Sequence, residues 1–167
     1  MKKEEIENLI KELDLPAMVL EIFNKTDKAK LLNLDIEYSC PSEFFIMTDE
    51  ELEPFKTSSI IPFMCDGSFY TIYAYDIKRK AFLTYNIEEG ITSEDRYKWD
   101  ALFIKDILNW WEEEISDEEI LERGKLLGIN HINGILKCIE ELGEDISVDI
   151  EKWEQNVIEK FNLEIKS

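Results

Sequence analysis

The chain has 167 residues and a mass of 19.8 kDa, which suits one domain, or one domain with a helical appendage, and excludes a multidomain machine. Apolar residues make up 44% of it and charged residues 34%, a mixture typical of a folded protein with a strongly ionised surface. No uncharged stretch approaches the roughly 20 residues of a transmembrane helix, and the N-terminus lacks the apolar block of a secretory signal. We therefore expect a protein of the cytosol.

Negative charge dominates the sequence: 38 acidic residues against 19 lysines and arginines give a formal net charge of −19. Residues 101–167 alone hold 17 acidic and 7 basic residues, so the acids are denser toward the C-terminus. This charge repels the phosphates of nucleic acids and of anionic membranes, and it excludes both as direct partners. A basic protein partner is favoured, and solubility is the alternative explanation of so acidic a surface.

Cysteine and histidine usage gives no sign of a cofactor. Three cysteines, Cys40, Cys65 and Cys138, stand far apart, and an odd number cannot pair completely within one chain. The one histidine, His131, has no second ligand at the spacing of a zinc site. The six glycines form no phosphate-binding loop. The sequence therefore predicts neither a disulfide framework nor a metal or nucleotide cofactor.

Two short helices are predicted at the start of the chain. Apolar residues from Ile6 to Leu13 recur at helical spacing, with charged residues between them. Asp14 is expected to cap a second helix that begins near Pro16, whose fixed φ suits a first turn.

The next segment changes from helical spacing to alternation. Leu34–Tyr38 alternates apolar and acidic residues and predicts a half-buried strand, and Phe44–Met47 is a second strand candidate. Thr48 and Glu51 then have the spacing of a capping box, which predicts a short helix that Pro54 ends.

The centre of the chain is its clearest β region. Ser59–Met64, Phe69–Tyr75 and Ala81–Ile87 are rich in apolar, aromatic and β-branched residues, and short turn sequences separate them. Three consecutive antiparallel strands, a meander, are the expected arrangement.

Only helices are predicted after the sheet. An aromatic stripe runs from Trp99 to Trp111, Ser116 and Glu119 form a second capping box, and Gly128 and Gly143 are positioned to end two helices. A last helix carries Trp153, Val157, Ile158 and Phe161. The change in composition near Ser116 predicts a boundary there.

Several of these elements resemble the SUKH superfamily, which includes a fungal cell-wall regulator and many bacterial immunity proteins. The resemblance covers roughly residues 1–115. The most particular residues are Ile61-Pro62-Phe63, Asp66-Gly67 and Asp76; the others are the opening helix, Leu13-Asp14-Leu15-Pro16, Asp49-Glu50-Glu51-Leu52, strands 69–76 and 81–85, and a closing helix with Phe103 and residues 104–108. In place of the glycine-containing turn that members commonly have after the second helix, this chain has Asn24-Lys25-Thr26-Asp27.

The resemblance implies an α+β fold in which helices pack on an antiparallel sheet, with residues 116–167 as an added helical extension. It implies no catalytic residue. For a bacterial protein it implies a cytoplasmic immunity protein that binds and neutralises a polymorphic toxin domain, often a nuclease. If the toxin is a basic nuclease, the acidic surface would complement it.

The candidate partner surface lies at the end of the aromatic stripe. Trp111 is followed by Glu112, Glu113 and Glu114, which we call the first acidic triplet. Asp117, Glu118 and Glu119 form the second acidic triplet. An aromatic ring offers contact area, and carboxylates steer Lys and Arg side chains, so these seven residues are predicted to contribute to a surface for a basic protein. The alternative is two core tryptophans followed by a solvated helix end.

Two alternatives stay open. A regulatory scaffold of the same fold would bind a cellular protein without neutralising a toxin. A small hydrolase would use paired carboxylates, or Cys65 as nucleophile with His131 as base. We expect Cys65 to be a buried structural residue and His131 a partly exposed polar residue, because the sequence shows no partners for either role.

Overall fold

The computed structural model describes residues 1–143 and 147–166 and shows an α+β protein. Dense internal contacts divide the chain into two compact units, Met1–Arg96 and Tyr97–Ser167, which we call the sheet unit and the helical unit. Among the described residues no helix is long and apolar enough to cross a membrane.

The sheet unit contains four α-helices, short 3₁₀ segments and one antiparallel sheet of four strands in the order β1-β2-β3-β4. The predicted meander and the α+β class are thus confirmed. The helices are α1 (Lys3–Glu12), α2 (Ala17–Phe23), α3 (Leu34–Glu37) and α4 (Asp49–Leu52); the strands are β1 (Tyr38–Ser39), β2 (Ile60–Asp66), β3 (Thr71–Asp76) and β4 (Ala81–Asn86).

A layer of aromatic residues fills the core on one face of the sheet. Phe55 stacks on Tyr85 with ring centroids 5.9 Å apart, and Phe44 meets Phe55 edge-on at 5.2 Å. Offset and edge-to-face arrangements of this kind add to the free energy gained from burial alone. The buried members of this cluster are Phe44, Leu52, Phe55, Ile60, Cys65, Ile72, Ala74, Leu83 and Tyr85.

The two early strand predictions are wrong for most of their length. Leu34–Tyr38 forms α3 and only the first residue of β1, and Phe44–Met47 begins in a 3₁₀ helix over Ser42–Phe45. Leu34 and Tyr38 are buried while Ile36 is 68% exposed, so burial recurs every four residues, as on one face of a helical turn. The alternation of apolar residues was too short to distinguish the two periods.

The ends of α2 and α4 can be compared with the predicted helix caps. The capping box of Thr48 and Glu51 opens α4 as predicted. The predicted cap at Asp14 is wrong, because Asp14 has a φ of +50° and Pro16 is the N-cap of α2. At the other end of α2, Lys25 adopts a φ of +53° in the turn that follows the helix, so a left-handed residue other than glycine ends it.

Asp66 and Gly67 have structural roles at the hairpin between β2 and β3. The Asp66 carboxylate accepts hydrogen bonds from the backbone N–H groups of Ser68, Tyr70 and Thr71 at 2.8 to 3.1 Å. A Cβ atom on Gly67 would lie 2.0 Å from the backbone oxygen of Ile36, so only glycine fits.

Asp76, which was also singled out in the sequence, forms a buried ion pair with Arg96. Their relative exposures are 5% and 4%, and the Arg96 Nε atom lies 2.9 Å from Asp76 Oδ2. Asp76 Oδ1 accepts from the backbone N–H groups of Lys78 and Arg79 at 3.0 Å. The Arg96 Nη1 atom donates to the carbonyl oxygens of Ser93 and Asp95, so one pair fixes both the β3–β4 turn and the segment that ends the unit.

The helical unit contains α5 (Ile104–Glu112), α6 (Asp117–Leu126), α7 (Ile132–Leu142) and α8 (Ile150–Phe161), preceded by a 3₁₀ helix over Trp99–Phe103. Trp110 is 1% exposed, and the Arg123 guanidinium lies over its ring at 5.1 Å. The Trp99 indole N–H donates to the carbonyl oxygen of Leu127 at 2.7 Å. Gly128 and Gly143 end α6 and α7 with positive φ values, as predicted.

The division between the units falls between Arg96 and Tyr97, earlier than the change in composition near Ser116. The cause is that α5 packs against α6 and α7. A backbone bridge also joins Tyr97 to Glu164, near the two ends of the helical unit. Phe103 and Trp110 of the aromatic stripe are therefore part of the core of the helical unit.

We predict that Asp76→Asn lowers the free energy of unfolding by about 3 to 5 kcal/mol, because it leaves a buried guanidinium without its counter-charge. Burial alone would raise the pKa of Asp76, but the Arg79 backbone N–H and the Arg96 guanidinium outweigh it and hold this pKa below the ordinary 3.8. The native stability gained from the pair is therefore present above pH 3.8 and is lost as the pH falls through the lower, folded-state pKa.

Urea unfolding of the wild type and the variant between pH 7 and pH 3 measures both effects. The difference in stability should shrink as the pH falls. If the difference in the free energy of unfolding between the wild type and the variant stayed constant from pH 7 to pH 3, the ionised carboxylate of Asp76 would not be the source of the stability.

Candidate partner-binding groove

The first acidic triplet lies at the C-terminal end of α5. The backbone N–H of Ile115 donates to the carbonyl of Trp110 at 3.0 Å, and that of Glu114 donates to Trp111 at 3.1 Å, the hydrogen-bond pattern of a Schellman motif. Glu114 occupies the left-handed position of this motif, with a φ of +61°. Glycine is the usual residue there, because any Cβ atom costs about 1 to 2 kcal/mol.

The second acidic triplet lies at the N-terminal end of α6. The Ser116 side chain is the N-cap and accepts a hydrogen bond from the Glu119 backbone N–H at 3.3 Å. The predicted capping box forms only in this half, because the Glu119 carboxylate binds Arg123 Nη2 at 2.9 Å. Asp117 and Glu118 are exposed in the first turn of the helix.

The two triplets stand at opposite poles of two different helix dipoles, the first at the negative end of α5 and the second at the positive end of α6. Carboxylates at the N-terminus of a helix are stabilising by roughly 0.3 to 1 kcal/mol each, and at the C-terminus they are unfavourable by a similar amount. The second triplet thus has an explanation in the stability of α6. The first triplet opposes the dipole of α5 and places a glutamate where glycine would fit, so its presence does not follow from stability.

The two triplets border an open groove in the helical unit with a volume of about 680 Å³. We call it the acidic groove. Its carboxylates are Glu112, Glu114 and Asp117, and its apolar surface comes from α5, from the α5–α6 turn, and from the segments that end α7 and begin α8. The lining residues are Leu108, Trp111, Glu112, Glu114, Ile115, Asp117, Leu142, Gly143, Val148 and Ile150.

Four of the seven predicted partner residues line this groove: Trp111, Glu112, Glu114 and Asp117. Trp111 is half-buried while its neighbour Trp110 is fully buried, as the 100° step between adjacent helical residues requires. The other three residues do not line it. Glu113 and Glu118 are exposed, and Glu119 is held by Arg123.

The apolar part of the groove was missed by sequence analysis. Ile115 lies in the connection between α5 and α6, and Ile150 is 40% exposed at the first position of α8. The sequence contains no signal for it, because Ile150 lies three positions before Trp153 and seven before Val157 and so belongs to the same apolar stripe of the helix. Only the packing of the helices brings it beside the acids of α5.

The residues of the hydrolase alternative have other contacts. Burial raises the pKa of the Cys65 thiol to about 12, and its Sγ atom donates to the carbonyl of Ser39 at 3.4 Å. His131 is 43% exposed, and its Nδ1 atom lies 2.6 Å from Asp100 Oδ2. Asp100 also accepts the His131 backbone N–H at 2.8 Å, so this carboxylate holds the first residue before α7.

Within residues 1–143 and 147–166, no three His, Cys, Asp or Glu side chains are grouped so that they could hold a metal ion. Comparison with protein-family models, with curated proteins and with solved structures gave no match to this chain.

We predict that Glu114→Gly raises the free energy of unfolding by about 1 kcal/mol, since glycine adopts the left-handed conformation without strain and removes a carboxylate from the negative end of α5. Glu113→Gly is the matched control. It removes the same charge one residue earlier, where φ is −78°, so it gains no relief of strain. Urea denaturation should rank the Glu114 variant above the Glu113 variant. The reverse order would contradict the proposed strain.

Proposed function

We propose that this protein is a non-enzymatic immunity protein, which neutralises a basic toxin domain by stoichiometric binding through the acidic groove. The resemblance of residues 1–115 to the SUKH superfamily supplies the functional class. The observation that carries the proposal is the first acidic triplet, whose position works against the stability of α5. Charge that is held at such a cost is typical of a binding surface.

Electrostatics supports the mechanism. The sequence has no lysine or arginine between Lys105 and Arg123, whereas it has eight acidic residues in that interval. Concentrated negative charge raises the rate of association with a basic surface, and it makes that rate more dependent on the salt concentration. If the toxin is a nuclease, the carboxylates occupy the region that the phosphates of its substrate would occupy.

The proposal places the protein in the cytoplasm, where a toxin must be blocked before it reaches its substrate. It requires no cofactor and no turnover. The fold of the sheet unit serves as a scaffold, since the particular residues Asp66, Gly67 and Asp76 all have structural roles.

Co-expression with the toxin domain encoded beside its gene tests the proposal. We expect the wild-type chain to restore growth and to form a complex of fixed stoichiometry. Failure to protect, or protection at catalytic amounts that one side-chain replacement abolishes, would contradict it.

The triple reversal Glu112→Lys, Glu114→Lys and Asp117→Lys is expected to slow association with the toxin domain at least tenfold in low salt. The matched control reverses Asp35, Glu88 and Glu89, which are exposed residues of the sheet unit, and it changes the net charge equally. Stopped-flow association rates should fall far less for the control. Equal rates for the two variants would show that net charge alone acts.

A further inference from the structure

The acidic groove combines two kinds of surface that recognise different chemistry. Glu112, Glu114 and Asp117 supply carboxylates, while Ile115 and Ile150 supply aliphatic surface to the same groove. A site that attracted cations alone would gain nothing from the aliphatic surface. The partner must therefore bring apolar as well as basic groups.

Ile150 is the clearest member of the apolar part. It is one of few large apolar side chains that stay substantially exposed among the described residues, at 40%. The N-cap of its helix is Asp149, whose carboxylate accepts the Lys152 backbone N–H at 3.2 Å, so an apolar residue at position 150 is not needed to begin α8. Removing it from water is favourable only when a partner covers it.

We infer that the groove takes a basic segment of a protein partner, in which one large apolar side chain is flanked by lysines or arginines. The apolar side chain packs against Ile115, Ile150 and the exposed side of Trp111, and the flanking cations meet the three carboxylates. The inference rests on the proposed function, because it specifies how the same surface recognises its partner.

The two contributions should separate in kinetics. Long-range attraction between charges governs the association rate, and short-range apolar packing governs the dissociation rate. The fluorescence of Trp111 can follow both the association rate and the dissociation rate, because a side chain that covers the indole ring changes its emission.

The probe is a peptide of about 15 residues with a central leucine between lysines, and the control is the same peptide with serine in place of leucine. Isolated peptides of this length are at most marginally helical, so the two differ in the central side chain and not in a preformed structure. We expect the leucine peptide to bind the full chain at least tenfold more tightly than the serine peptide. Ile150→Asp should remove this preference mainly by accelerating dissociation. Ile36→Asp, at an exposed isoleucine of the sheet unit, should leave it unchanged.

Equal binding of the two peptides, or an unchanged preference in Ile150→Asp, would overturn the inference. The toxin experiment separates this failure from that of the proposed function. If Ile150→Asp protects cells from the toxin as well as the wild type does, the inference fails and the function stands. If the leucine peptide binds as expected but the wild type gives no protection, the inference stands and the function fails.

Discussion

The dipole of α5 sets the electrostatic constraint on this protein. A run of three glutamates at the negative end of a helix is repelled by the unpaired carbonyl groups and by its own neighbours. Glu114 adopts a left-handed conformation at this helix end. The backbone N–H groups of Glu114 and Ile115 donate hydrogen bonds to the last carbonyl groups of α5 and so fix the turn. The core below, with Trp110 under the Arg123 guanidinium, gives the helical unit the stability that offsets this repulsion.

From this constraint the groove follows. Because α5 ends at Glu112 and α6 begins at Asp117, the turn between them brings both triplets to one edge of the helical unit. The start of α8 adds Ile150 beside them. Acidic and apolar groups thus share one surface, and it is through this surface that we propose binding of a basic, partly apolar protein.

Much of this architecture could be predicted from sequence because the signals were local. The strands of the meander, the first helix with its apolar residues from Ile6 to Leu13, the helix ends at Gly128 and Gly143, and the capping box at Thr48 each depend on residues within a few positions of one another. The alternation in Leu34–Tyr38 failed because five residues satisfy both a strand and one helical turn.

The candidate site was only half predictable for the same reason. The carboxylates and Trp111 are adjacent in sequence, but Ile150 and Leu142 reach the groove through helix packing. Asp100 and His131 are likewise in contact although they are 31 positions apart in the sequence, and no local pattern predicts this contact. The left-handed φ of Glu114 was also hidden, since glycine is the residue that marks such a position.

The opposed roles of the two triplets can be measured without any partner. The variants Glu112→Gln with Glu113→Gln, and Asp117→Asn with Glu118→Gln, each remove two negative charges, so relief of the overall repulsion is the same in both. In low salt the first pair should raise the free energy of unfolding above that of the second pair by about 1 kcal/mol. If the second pair proved equally or more stable, the first triplet would carry no cost, and the physical case for a binding surface there would be lost.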